Sequence, residues 1–181
     1  MAAEQPRIRH AIPAHAPSVI ALLNDGFASY RDFAPPDWEP PDIGQEEELV
    51  FERFVARAEV WYEVAEDTQG HAGQCGFMPA HRRRNMQGDP VPGTAQFWQL
   101  FVRRDLWGGG LAGDLHARAV TAMRGRGYTR ARLFTPAGQA RARRFYEKRG
   151  WREAPISIDD PPDLAGLAVV EYRLDLSGPG P

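Results

Sequence analysis

Apolar positions along the chain switch between two periods, and the switches divide it into alternating strands and helices. Arg7 to Ala11 predicts a short first strand. From Pro13 to Tyr30 the apolar residues Val19, Ile20, Leu22, Leu23 and Phe27 recur at helical spacing. Ala34 to Pro41 contains four prolines, which excludes a regular element. Gln45 to Ala58 predicts a second helix, with Leu49, Val50, Phe54 and Val55 as its apolar stripe. Val60 to Glu66 and Gly70 to Met78 predict two strands joined by a tight turn around Asp67 to Gly70. Arg82 to Gly93 is polar, contains Gly and Pro, and predicts a loop.

Thr94 to Val102 is an apolar, aromatic strand containing Phe97, Trp98, Leu100, Phe101 and Val102. The glycine cluster Gly108, Gly109, Gly110 follows, and then a helix to about Arg126 whose apolar positions repeat near 3.6. Tyr128 to Phe134 predicts a strand. Thr135 suits a helix N-cap and Pro136 a first helical position, opening a helix that runs to Arg149 and stops at Gly150. Trp151 to Ile158 predicts a strand, Asp159 to Asp163 a loop, and Leu167 to Leu176 a last alternating strand. The order is strand, two helices, three strands, helix, strand, helix, two strands. It predicts an α/β or α+β architecture with helices covering a mixed sheet.

The chain of 181 residues suits one domain, read as 1–176 with a Gly- and Pro-rich tail at 177–181 that frays. A formal charge of -2 argues against a nucleic-acid binder. The single cysteine, Cys75, cannot form an intrachain disulfide, which fits a reducing compartment. Met1 to Arg9 lacks an apolar signal-peptide core, and no apolar run approaches the roughly 18 residues of a membrane span. A cytoplasmic location follows as an expectation. Charge is uneven: Asp32 to Glu66 is acidic, whereas Arg103 to Arg152 is basic. Two solvated faces explain this, and so does a basic half for an anionic cofactor beside an acidic half for a cationic substrate.

The stretch Leu106-Trp107-Gly108-Gly109-Gly110-Leu111-Ala112, between strand and helix, is the most informative. Small residues let backbone approach a ligand. The first helical amides lack internal partners and carry the positive dipole end, which suits a pyrophosphate. Gly108 to Gly113 also satisfies the dinucleotide pattern GxGxxG. The acidic ribose partner usual about 20 residues later is missing, although Arg132 could serve a phosphorylated ribose. No Lys-Ser or Lys-Thr follows the glycines, which argues against a P-loop.

Trp107-Gly108-Gly109-Gly110-Leu111-Ala112 resembles the acetyl-CoA motif of the GNAT superfamily (GCN5-related N-acetyltransferases). That motif is Gln or Arg, two residues, Gly, one residue, then Gly or Ala; Trp107 stands in the first position. A second motif agrees. Gln139-Ala140-Arg141-Ala142-Arg143-Arg144-Phe145-Tyr146-Glu147-Lys148-Arg149-Gly150-Trp151 matches a later family helix at its Ala, Phe-Tyr and Gly positions. Gln139 stands where Asn is commoner and Trp151 where Phe is commoner. The resemblance is strong over residues 94 to 152 and weak before them.

The resemblance implies a mixed, mostly antiparallel sheet of six to seven strands flanked by about four helices. It implies acetyl-CoA as co-substrate, no metal, and a primary amine of a small molecule or peptide as acceptor. Leu100, Phe101 and Val102 would pair their backbone with pantetheine. Backbone amides of Trp107, Gly108, Gly109, Gly110, Leu111 and Ala112 would hold the pyrophosphate. Gln139 would hydrogen-bond pantetheine, Arg143 could reach a phosphate, and Tyr146 would protonate the leaving thiolate. Relatives are often dimers, which makes a homodimer an expectation of the resemblance. Glu171 and His81 are candidate bases beside a water relay. Phe33, Asp37, Trp38 and Glu46 to Glu48 are candidates for the acceptor site. A non-catalytic acyl-CoA sensor and an NADP-dependent enzyme remain the alternative functions.

Overall fold

In the computed structural model, which describes residues 5–83, 86–162 and 164–178, the strands join into one seven-stranded sheet of order β1-β2-β3-β4-β5-β7-β6. The strands are β1 (Arg7–His10), β2 (Trp61–Asp67), β3 (Gly70–His81), β4 (Pro90–Val102), β5 (Arg130–Pro136), β6 (Arg152–Ala154) and β7 (Val169–Asp175). The helices are α1 (Ala16–Ala28), α2 (Gln45–Val55), α3 (Leu111–Gly125) and α4 (Ala140–Glu147). Every pairing is antiparallel except β4 with β5. The mixed, mostly antiparallel sheet with four helices is the architecture expected from the sequence. No helix among the described residues is long and apolar enough to cross a membrane.

Both faces of the sheet are covered. On one, α3 and α4 bury Leu115, Met123 and Tyr146 against Phe77, Phe97, Leu133 and Tyr172. On the other, α1 and α2 bury Val19 and Phe51 against Tyr62 and Val64. Glu63 of β2 is buried, and both its carboxylate oxygens accept from Arg118 of α3, at 2.5 Å from Nε and 2.6 Å from Nη2. This two-point ion pair fixes how α3 sits on the sheet.

Several boundaries differ from the sequence expectation. The predicted loop at Arg82 to Gly93 shortens because β3 extends to His81 and β4 starts at Pro90, facing it across the hairpin. Pro136 does not open a helix. β5 continues through it, paired with Val169, and α4 begins only at Ala140. The strand expected over Trp151 to Ile158 contracts to Arg152–Ala154. Residues 179–181 of the expected fraying tail lie outside the described residues.

The feature that shapes the site is a split in the sheet. β4 and β5 pair only through Thr94–Gln96 and Arg130–Arg132. Beyond that, β4 stays with β3 as far as Val102, and β5 stays with β7 as far as Pro136. A bulge in β4 drives the divergence. Trp98 pairs with Gly76 and Phe101 with Gln74, so β4 carries one extra residue there. Within the bulge Gln99 has φ 53, left-handed backbone that a side chain seldom adopts. Its Oε1 accepts from the Tyr62 hydroxyl at 2.8 Å, which ties the strained residue to β2.

Candidate active site

The split opens as a cleft of about 530 Å³ between β4, the glycine turn and α4. It brings together Leu100, Phe101, Val102, Trp107, Gly108, Gly110, Ala112, Gln139 and Tyr146. Three residues singled out on the sequence are not on its wall. Leu111 turns its side chain into the core. Gly109 donates its amide to the Leu106 carbonyl at 3.1 Å. Arg143 is committed elsewhere: its Nε donates to the Tyr172 hydroxyl at 3.0 Å, Nη1 to the Ala137 carbonyl at 3.0 Å and Nη2 to Glu153 at 2.6 Å. The cationic residues that do line the cleft are Arg141, Arg144, Lys148 and Arg149.

The glycine turn is built from left-handed backbone, with φ 85 at Gly108 and φ 97 at Gly110. A side chain at either would meet no neighbour, so conformation and not space calls for glycine. The turn spends the Trp107 amide on the Arg104 carbonyl and the Gly109 amide on that of Leu106. The amides of Gly108, Gly110, Leu111 and Ala112 have no partner among the described residues. Three of these sit at the N-terminus of the long helix α3, where the dipole favours an anion. The expectation that every amide from Trp107 to Ala112 is available is therefore corrected to four of the six.

Trp107 spans the mouth of the cleft. Its indole N–H donates to the Val102 carbonyl at 2.7 Å. The Arg141 guanidinium lies over its ring at 3.8 Å from the centroid. Gln139, just before α4, accepts from the Thr135 hydroxyl at 3.1 Å. Tyr146 is buried with its ring edges against Phe97, Phe145 and Trp151. Its hydroxyl has no hydrogen-bond partner among the described residues. Burial pushes the phenol well above its usual range, so it stays protonated and can only give a proton.

A second cavity of about 300 Å³ adjoins the first and shares Tyr30, Gln99, Phe101 and Phe134 with it. Leu23 and Phe27 of α1 roof it; Met78, Gln96, Trp98 and Arg132 form its floor. Neither expected base stands at the shared wall. Glu171 is fully buried, as is its neighbour Tyr172 on the opposite face of β7. Its carboxylate accepts from the Ser157 amide at 2.6 Å, the Ser157 hydroxyl at 2.9 Å and Arg173 at 2.8 Å. It lines neither cavity. His81 lines the second, with Nδ1 at 2.9 Å from the Gly88 carbonyl. A carbonyl only accepts, so Nδ1 is the donor in this contact.

The residues expected around an acceptor are elsewhere. Trp38 is buried with its N–H directed at the Leu164 and Ala165 carbonyls, at 3.3 and 3.1 Å. Phe33 packs on Gly138. Glu47 accepts from the Gly44 amide at 3.1 Å and caps α2. None of Phe33, Asp37, Trp38 or Glu46 to Glu48 lines the second cavity. Its walls come from α1, from β3, β4 and β5, and from connecting segments at Tyr30, Ile158 and Leu164, which no local pattern announces.

A family model described as the Acetyltransferase (GNAT) family matches residues 23–151, from within α1 to Trp151, four residues beyond α4. This chain belongs to the GNAT family. Solved structures share the GNAT fold. A putative phosphinothricin N-acetyltransferase matches with TM-score 0.72 at 19% identity, over 96% of this chain and 99% of that one. Ribosomal-protein-alanine N-acetyltransferase from Brucella melitensis matches with TM-score 0.70 at 18% identity, over 93% and 99%. PaiA N-acetyltransferase from Thermoplasma acidophilum, solved in complex with coenzyme A, matches with TM-score 0.69 at 11% identity, over 95% and 99%. Identities this low speak to the fold alone. No curated protein sequence matches. The GNAT assignment replaces the dinucleotide reading of Gly108 to Gly113, whose usual fold has a mostly parallel sheet.

Proposed function

We propose that this protein transfers an acetyl group from acetyl-CoA to a primary amine of a small molecule or peptide, by direct attack of the amine on the thioester. The observation that carries the reading is the continuity of the two cavities at Gln99 and Phe101. A cleft with free amides at one end meets an acceptor-sized chamber at the place where β4 leaves β5.

In this reading the pyrophosphate rests on the amides of Gly108, Gly110, Leu111 and Ala112. The exposed edge of β4 at Leu100 to Val102 pairs with the pantetheine arm, and Gln139 adds a side-chain hydrogen bond. The amine nitrogen forms its bond to the thioester carbon from the second cavity. A backbone N–H of β4 near Phe101 or Val102 donates to the developing oxyanion. The C–S bond breaks, the departing thiolate takes the Tyr146 proton, and a proton from water restores the phenol. The proton lost by the amine leaves through water. His81 is the candidate base that lines the acceptor cavity. Arg143 has no part in holding the phosphates, because its three nitrogens are bound elsewhere.

Calorimetric titration with acetyl-CoA, CoA and NADPH, followed by thiol release across an amine panel, tests the proposal. Saturable acetyl-CoA binding competed by CoA, with thiol released by at least one amine, supports it. Binding without turnover on any amine would favour an acyl-CoA sensor. Binding of NADPH alone would overturn the cofactor.

A further inference from the structure

Building on the acetyl-transfer reading, we propose that the second cavity selects acceptors carrying an anionic group, a carboxylate in the first instance, separated from the reacting amine by an apolar tether. Nη1 of Arg132 is the donor that receives it.

Arg132 is 2% exposed. Two of its three nitrogens are satisfied. Nε donates to Gln96 Oε1 at 2.7 Å, and Nη2 donates to the His81 carbonyl. Nη1 is buried and has no partner. No carboxylate among the described residues forms an ion pair with the guanidinium. Glu171, the nearest acid in electrostatic terms, gives its oxygens to Ser157 and Arg173. A buried cation with a free N–H and no counter-ion is costly, and such groups are rare without a role. Both hydrogen-bond acceptors of Arg132 are neutral, and the Phe134 ring faces the guanidinium with its centroid 5.7 Å away. They orient the fork without cancelling its charge, leaving one arm for an incoming anion.

The other buried donor without a partner, Nε1 of Trp98, is not counted. It lies against Gly76, where a Cβ would come within 2.9 Å of it. Among charged neighbours, Arg83 stands at the same wall and reaches Asp160 at 3.9 Å, so it adds no negative charge to the chamber. The apolar part of the wall includes Leu23, Phe27, Met78, Phe134, Ile158 and Leu164, which suit a hydrocarbon segment.

Position sets the length of that segment. The guanidinium is held by Gln96 and His81, whereas the cofactor cleft is reached at Gln99. These points are three positions apart along β4, on the order of 7–10 Å once the bulge is allowed for. The cavity therefore fits an ω-amino carboxylate or an equally long amino acid better than a compact one.

The test compares three acceptors of one length: aminocaproate, its primary amide and hexylamine, assayed by thiol release from acetyl-CoA. Aminocaproate should exceed the amide by roughly tenfold or more in kcat/KM, as a charge-assisted hydrogen bond to a buried group provides. Arg132→Gln should bring that ratio close to one, a change that a merely structural arginine would not cause. If the variant does not fold, the wild-type ratio still decides. Equal use of acid and amide, or preference for hexylamine, overturns the inference and assigns Nη1 to water. Should no amine turn over while acetyl-CoA binds, thermal shift of the CoA-saturated protein with aminocaproate against its amide replaces the rate, and no preference again overturns it. Absence of acetyl-CoA binding defeats the transfer reading itself, a separate outcome read by titration.

Discussion

Trp151, just beyond α4, donates its indole N–H to Nε2 of His116 in α3 at 2.9 Å. An accepting Nε2 must carry a lone pair, so His116 is neutral in the fold. Burial, aided by the charge of Arg149, lowers its pKa from 6.5 to about 4. Between those values the unfolded chain binds the proton and the folded chain does not, so stability falls as pH drops through that window. The full effect is about 3 kcal/mol, reached near the folded value and absent above the unfolded one. Urea midpoints at pH values across this window measure it. In His116→Gln the midpoint should depend less on pH than in the parent protein.

Tyr146→Phe removes a hydroxyl that has no structural partner while keeping the ring contacts. Folding should therefore be nearly unchanged. The chemical step should slow about a hundredfold, the low end for a positioned acid, with acetyl-CoA affinity retained. Single-turnover kinetics separate the two, and unchanged turnover would remove Tyr146 from the mechanism.

Gly110→Glu places a side chain on left-handed backbone and a negative charge beside the free amides of α3. The conformational cost is about 1–2 kcal/mol. The charge should reduce CoA affinity more than tenfold, and Gly110→Ala should bear the conformational part alone. Titration of both variants with CoA checks this; equal affinities would move the pyrophosphate away from the turn.

Gly26 of α1 faces Phe101, and a Cβ there would sit 2.1 Å from its ring. Helix propensity favours Gly26→Ala by about 1 kcal/mol. Overpacking opposes it by about 1–3 kcal/mol and should win. The same variant should disturb acceptor KM, because Phe101 belongs to both cavities. Gly26→Ala combined with Phe101→Leu should recover stability relative to Gly26→Ala alone, as a double-mutant cycle would record.

The glycine turn and the Tyr146 helix were legible because each is a local event. Gly108, Gly110 and the amides of α3 lie within a few residues of one another, so their geometry is written in one short string. Thr135 and Pro136 misled for the converse reason. Their side chains suit a helix start, but pairing with Val169 and Val170 keeps them in β5. The acceptor cavity was least legible. Arg132, Gln96 and His81 come from three strands, and only the register of the sheet makes them one group. Arg143 sits within the recognised motif, yet Tyr172 and Glu153, both beyond that motif, divert its guanidinium from the cleft.

The short parallel seam between β4 and β5 has a consequence for cohesion. Among the described residues, three register pairs stitch β1 to β4 onto β5 to β7 by strand pairing. A ligand lying in the wedge touches β4 on one side and α4 on the other, and so acts as a removable rivet between the two parts. Occupancy should then protect amides on both sides of the seam together, and raise the unfolding temperature with ligand concentration as mass action requires.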